Sequence, residues 1–149
     1  MVNGEHILIS LEERHAENIL SGQKHIELRR RPMNVKVGTT VWIYAKLPLG
    51  SVIGKARVSG FHCLAPSTLW RRFSDVSGVS RGEFFEYFEG VSKGFALALE
   101  SAERMLEPAP LEALRRVSSD FHPPQFFMRL DNGSALLKVL DTPSSGFTR

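Results

Sequence analysis

The chain has 149 residues, 42% of them hydrophobic and 23% charged, with a formal net charge of +3. Those values suit one globular domain with a packed core and exclude wholesale disorder, and the charge is too small to establish a nucleic-acid partner by itself. A single cysteine, Cys63, excludes an internal disulfide, and no CxxC or paired Cys/His spacing asks for a metal or another cofactor.

His6–Leu11 reads as a strand, apolar on both faces. The residues before it lack the apolar centre of a signal peptide, and no apolar run is long enough to cross a bilayer, so the cytoplasm is the default expectation and no membrane partner is expected. Glu12–Leu20 reads as a short helix, acidic at its start, facing a core through Ala16, Ile19 and Leu20 and stopped by Ser21-Gly22. A strand is expected at His25–Arg31, ended by Pro32. Thr39–Ala45 is dense in β-branched and aromatic residues, and Ser51–Phe61 continues as strand with Gly54 and Gly60 at bulges or bends. Ser67–Phe73 and Arg81–Glu89 read as short helices, Phe95–Glu100 as strand and Pro110–Val117 as a helix opened by proline. His122–Gln125 is a rigid turn, and Ala135–Leu140 is a strand or a helix. Residues 1–141 are thus expected to form one α+β domain, a curved and mainly antiparallel barrel with short helices at its rim, and residues 142–149 a frayed tail.

The segment SGQKHIELRRR, Ser21–Arg31, stands out chemically. On the expected strand Ile26 and Leu28 take one face, and His25, Glu27, Arg29 and Arg31 the other, with Lys24 at its mouth. Isolated charges are rarely buried, so the charged face borders either solvent, as a protected edge strand, or a polar cleft. In a cleft, Arg29 offers a planar fork to phosphate, Lys24 a point charge, and Glu27 an acceptor that orients one of them.

The spacing G-x-K-x-x-E-x-R, present as Gly22, Lys24, Glu27 and Arg29, resembles the signature of the ASCH domain, a PUA-related family. ILISLEERHAENILSG before it, VWIYAKLPLGSVIGKARV and SRGEFFEYFEG…KGFALAL after it, and the closing HPPQFF resemble the family's other segments in order, from about Ile7 to Leu130. The resemblance implies a small PUA-like curved β-barrel whose cleft beside the motif takes RNA, a nucleotide or a modified nucleoside. Some members are hydrolases, one branch deacetylating a cytidine derivative and another acting as a ribonuclease. The deacetylating branch resembles G-x-K-x-x-T, and here Glu27 stands where its threonine nucleophile would be, which disfavours that mechanism. Related sequences often close on Pro-Pro-Gln-Ser; this chain has Phe126 in place of the serine.

Further residues join the candidate site. Tyr44 and Lys46 share a strand face with Trp42 and lie near the family's cleft; an aromatic beside a lysine can stack a base and hold its phosphate, while Trp42 reads as core. Gln125, in its Pro-Pro turn, can read a base edge or cap a backbone group. Cys63 lies in an apolar stretch and reads as a small buried hydrophobe. Two readings follow. The first is a binding module for RNA or a nucleotide through Lys24, Glu27, Arg29, Tyr44, Lys46 and Gln125. The second is a hydrolase on the same cleft, with Lys24 stabilising charge and Glu27 acting as general base. The oligomeric state is not legible.

Overall fold

The computed structural model describes residues 4–141. The expected tail at 142–149 lies outside the described residues. Six strands, β1 (His6–Leu11), β2 (Ile26–Arg29), β3 (Thr40–Ala45), β4 (Ser51–Leu64), β5 (Gly94–Pro110) and β6 (Phe127–Leu130), form one sheet in the order β2-β5-β4-β3-β1-β6. Only β1 and β3 pair in parallel; the other neighbours are antiparallel. Helix α1 (Glu13–Leu20) lies between β1 and β2, and α2 (Pro66–Ser77) and α3 (Arg81–Tyr87) lie between β4 and β5. Helix α4 (Leu111–Val117) follows β5, and α5 (Ala135–Leu140) ends the described chain.

The long strands bend where the sequence allows it. Register shifts fall between Val52 and Gly54 and between Val58 and Gly60, so both glycines sit at bulges as their spacing predicts. Gly54 also meets a second demand. A β-carbon there would stand 2.6 Å from the Glu103 carbonyl oxygen and from a Leu20 methyl, so only glycine lets α1 approach the sheet this closely.

The curled sheet has apolar residues on both faces. Ile7, Ile9, Val41, Ile43, Ile53 and Leu97 form one cluster, closed by Ala16 and Ile19 of α1. Leu8, Trp42, Tyr44, Val52 and Met105 form a second, covered by Leu114 of α4 and Leu137 and Leu140 of α5. Ile26, Leu28 and Ala96 form a third, covered by Leu69 of α2 and Phe84 and Phe88 of α3. Trp42 is core, as expected, fully buried with its indole N–H donating to His6 Nδ1 at 3.1 Å.

Several sequence expectations are corrected. The motif strand spans Ile26–Arg29 only and ends before Arg31 and Pro32. Strand β5 runs ten residues past Glu100, through SAERMLEPAP. That extension lacks β-branched residues, carries two prolines and bends at Ser101 with φ 55°, so no strand signal survives in it. Cys63 is not a buried hydrophobe: it is exposed near the end of β4, where it pairs with Phe95 of β5.

The sheet does not close. Strands β2 and β6 are its two ends, and each pairs on one side only. Yet the Arg29 guanidinium of β2 lies over the ring of Phe126, the residue just before β6. Curvature therefore brings the two edges together at an open seam.

Candidate functional site

A cleft of about 440 Å³ opens at that seam. It takes Ser10 and Leu11 from the end of β1, His15 from α1, Glu27 and Arg29 from β2, Tyr87 from α3, and Lys24, Lys46 and Gln125 from connecting segments. Five of the six candidate side chains thus line one cavity. Tyr44 does not. It is 2% exposed and packs in the second cluster with Leu8 and Trp42, where burial pushes its hydroxyl pKa up. Lys46 reaches the cleft because β3 ends at Ala45, so its side chain is released from strand alternation.

At the floor lie three buried charges: Lys24 is 2% exposed, Glu27 8% and Arg29 8%. Glu27 stands between the cations, Oε1 3.8 Å from Lys24 Nζ and Oε2 3.7 Å from Arg29 Nε. One carboxylate between two cations leaves the floor with a net positive charge. The Lys24 ammonium also donates to the carbonyl of Ser77, the last residue of α2, where the helix dipole favours a cation. Burial nonetheless pulls the Lys24 pKa below the ordinary lysine value; Glu27 opposes that shift, and Arg14 and Arg29 add to it.

Gly78, the cap after Ser77, holds this contact open. Its φ is +74°, and a β-carbon there would lie 3.2 Å from Lys24 Cδ. Gly78→Ala is therefore expected to cost about 1–2 kcal/mol through backbone strain and displacement of Lys24. Urea unfolding checks this; a variant as stable as the parent would refute it.

Unpartnered polar atoms mark the cleft further. Among the described residues, buried side-chain atoms without a hydrogen-bond partner occur on Ser10, His15, Arg29 and Thr39, and the first three line this cavity. Buried polar groups are normally paired, so this concentration points to a surface shaped for a polar ligand. Arg29 contributes both Nε and Nη2. Burial, and then Lys24, lower the His15 pKa, which favours the neutral ring. Tyr87 donates its hydroxyl to the Leu28 carbonyl at 3.2 Å, and burial raises its pKa.

Counted over the whole cavity, the lining is balanced in charge. Arg14 binds Glu83 at 2.5 Å, and this bond, with the Ser80 backbone N–H, holds the Glu83 carboxyl down at about 2. Arg14, Lys24, Arg29 and Lys46 face Glu12, Glu27, Glu83 and Glu86 across the whole cavity. A lining so balanced offers an anion a few placed donors and no broad positive field. Among the described residues, no group of three or more His, Cys, Asp or Glu side chains is arranged to hold a metal ion, and no helix is long and apolar enough to cross a membrane.

Sequence reasoning missed Ser10, His15 and Tyr87. A lone hydroxyl in the otherwise apolar HILISL strand was the available signal for Ser10. No signal marked the other two, whose positions depend on how α1 and α3 dock.

Comparison with known proteins gives the family and the fold. No family model matches the chain. It is 35% identical over 118 residues to an ASCH domain-containing ribonuclease of Zymomonas mobilis, a match covering 79% of each chain. The chain belongs to the ASCH domain family. The crystal structure of ASCH from Zymomonas mobilis superposes with a TM-score of 0.86 at 31% identity, covering 92% of this chain and 94% of that one. The N-terminal domain of Staphylothermus marinus McrB, at 12% identity and a TM-score of 0.62 over 97% of this chain and 96% of that one, shares the fold alone. The PUA-like curved barrel of the ASCH domain is thus the architecture that sets the motif segment at the open seam.

Proposed function

We propose that this ASCH domain binds single-stranded RNA in the seam cleft, seating one phosphate between Arg29 and Lys24. The observation that carries this reading is Arg29, a buried residue of the cleft lining whose Nε and Nη2 make no hydrogen bond, beside a second buried cation, Lys24. A guanidinium edge whose two N–H groups make no hydrogen bond, although Nε is ion-paired with Glu27 at 3.7 Å, matches two phosphate oxygens, and Lys24 adds a point charge. Gln125 and Lys46 stand at the rim to meet a base edge and a neighbouring phosphate. The exposed Cys63 thiol suits a reducing compartment, in keeping with a cytoplasmic RNA partner.

A second reading adds cleavage, and the ribonuclease relative favours it. Glu27 would take the proton of a ribose 2′-hydroxyl as its oxygen attacks the adjacent phosphorus. The 5′-oxygen would leave with a proton from solvent, and Lys24 would hold the charge that builds on the phosphoryl oxygens.

Binding is tested with a 2′-O-methyl oligonucleotide, which cannot react by this route. The double variant Lys24→Met/Arg29→Gln is expected to bind at least about tenfold more weakly, with a salt slope reduced by one to two contacts. Unchanged affinity in the double variant would remove the phosphate site from this cleft.

A further inference from the structure

The chemistry of the cleft continues outward from Arg29. Its guanidinium carbon lies 5.3 Å from the centroid of the Phe126 ring, and that of Arg31 lies 4.9 Å from the same ring. Arg29 is buried, Phe126 half-buried and Arg31 exposed, so guanidinium and aromatic groups alternate from the floor of the cleft to its outer surface. Phe126 follows Gln125, which lines the cleft, and its inner edge rests on the apolar cluster closed by α1. Phe127 meets it edge-on at 5.0 Å.

The two outer arginines differ. Arg129 stacks on Phe127 at 5.5 Å but is tied to the Glu5 carboxylate at 3.3 Å and to the Asn34 carbonyl. Among the described residues, Arg31 has no such ion pair or hydrogen bond; its only contact of note is the Phe126 ring. The ring holds the Arg31 plane without using its donors.

We infer that Phe126 and Arg31 form a second nucleotide subsite, which takes the base of the nucleotide next to the one seated at Arg29 and Lys24. This rests on the phosphate reading of the cleft. Phe126 backs the Arg31 guanidinium, whose other, exposed face can stack on a base, and stacking of this kind tolerates any base because every base has a π-face. The free donors of Arg31 then lie where the phosphate joining the two nucleotides, or the one beyond, can reach them. The phenylalanine that interrupts the Pro-Pro-Gln-Ser pattern becomes a gain in reach along the RNA rather than a simple loss of a hydroxyl.

The test compares adenosine 5′-monophosphate with the 2′-O-methyl dinucleotide pApA, by titration calorimetry, on the full chain and on Phe126→Leu and Arg31→Gln. Leucine keeps the apolar bulk of Phe126, and Arg31 is exposed, so the fold is retained in at least one variant. The dinucleotide is expected to bind the parent about tenfold more tightly than the mononucleotide. Each variant should lose most of that advantage while binding the mononucleotide within about twofold of the parent. A dinucleotide that binds no more tightly than the mononucleotide, or an advantage that both variants keep, overturns the subsite and leaves the phosphate site standing. Equal loss of both ligands in Phe126→Leu, with Arg31→Gln unaffected, also overturns it, because Phe126 would then serve only to hold Arg29. Absence of binding by either ligand to the parent overturns the subsite and the phosphate site together.

Discussion

Glu27→Gln is expected to cost about 3 kcal/mol of folding stability, and raising the pH is expected to restore part of it. The cause is the charge count at the cleft floor. With the carboxylate gone, Lys24 and Arg29 remain buried with no anion between them. Removal of one partner from a buried ion pair usually costs about 3–5 kcal/mol, and separations of 3.7 and 3.8 Å place this case at the lower end. The pH effect follows from linkage. Burial already holds the Lys24 pKa below the ordinary value of 10.5, so between those two values the unfolded chain binds more protons than the folded one. Stability therefore rises with pH across that window. Glu27 is the group that raises the Lys24 pKa; its loss lowers that pKa further and extends the window downward. Urea midpoints measured from neutral to alkaline pH check both parts. A variant as stable as the parent at neutral pH, or one whose stability climbs no more steeply, would refute the account.

Lys24→Met is expected to do the opposite: little harm to the fold and, on the cleavage reading proposed above, large harm to RNA cleavage. Methionine fills the lysine stem's volume, and its substitution leaves Glu27 paired one-to-one with Arg29, a neutral arrangement. Stability should change by no more than about 1–2 kcal/mol, and the alkaline rise in stability should disappear with the group that causes it. Cleavage should fall by about 10²–10³-fold, the usual effect of deleting a preorganised donor aimed at developing charge. Affinity for a non-cleavable oligonucleotide should fall far less, because Arg29 still holds the phosphate. Single-turnover cleavage beside a binding titration separates the two. Undiminished cleavage would exclude Lys24 from the chemistry and leave the binding reading in place.

Much of this architecture was legible in advance. Alternating and β-branched runs marked β1, β3 and β4, and Gly54 and Gly60 marked the bends, because those features report local backbone demands. The cleft was legible only through the oddity of charges on a strand: Lys24, Glu27 and Arg29 carry ordinary surface side chains, and nothing local declares that they are buried. That depends on Ser77 at the end of α2 meeting Lys24 and on Phe126 meeting Arg29, contacts that sequence spacing alone does not encode. Tyr44 shows the complementary limit. Alternation assigns a side chain to a face, but which helices cover that face is a tertiary matter, and α4 and α5 cover this one. The second half of β5 was illegible for a third reason: its pairing with β4, rather than its composition, makes it a strand.

The open seam has a mechanical consequence. Strands β2 and β6 are each held by one neighbour, so amide exchange there can proceed by peeling an end strand away without melting β3 and β4 at the middle. A guest bound as proposed, reaching Arg29 of β2 at the floor and Gln125 before β6 at the rim, would act as a rivet across the gap. It shields both end strands from exchange at once, although it forms no backbone bond with either. Occupancy and the rigidity of the curl would then become one property, the proposed ligand completing a ring that the polypeptide leaves unfinished.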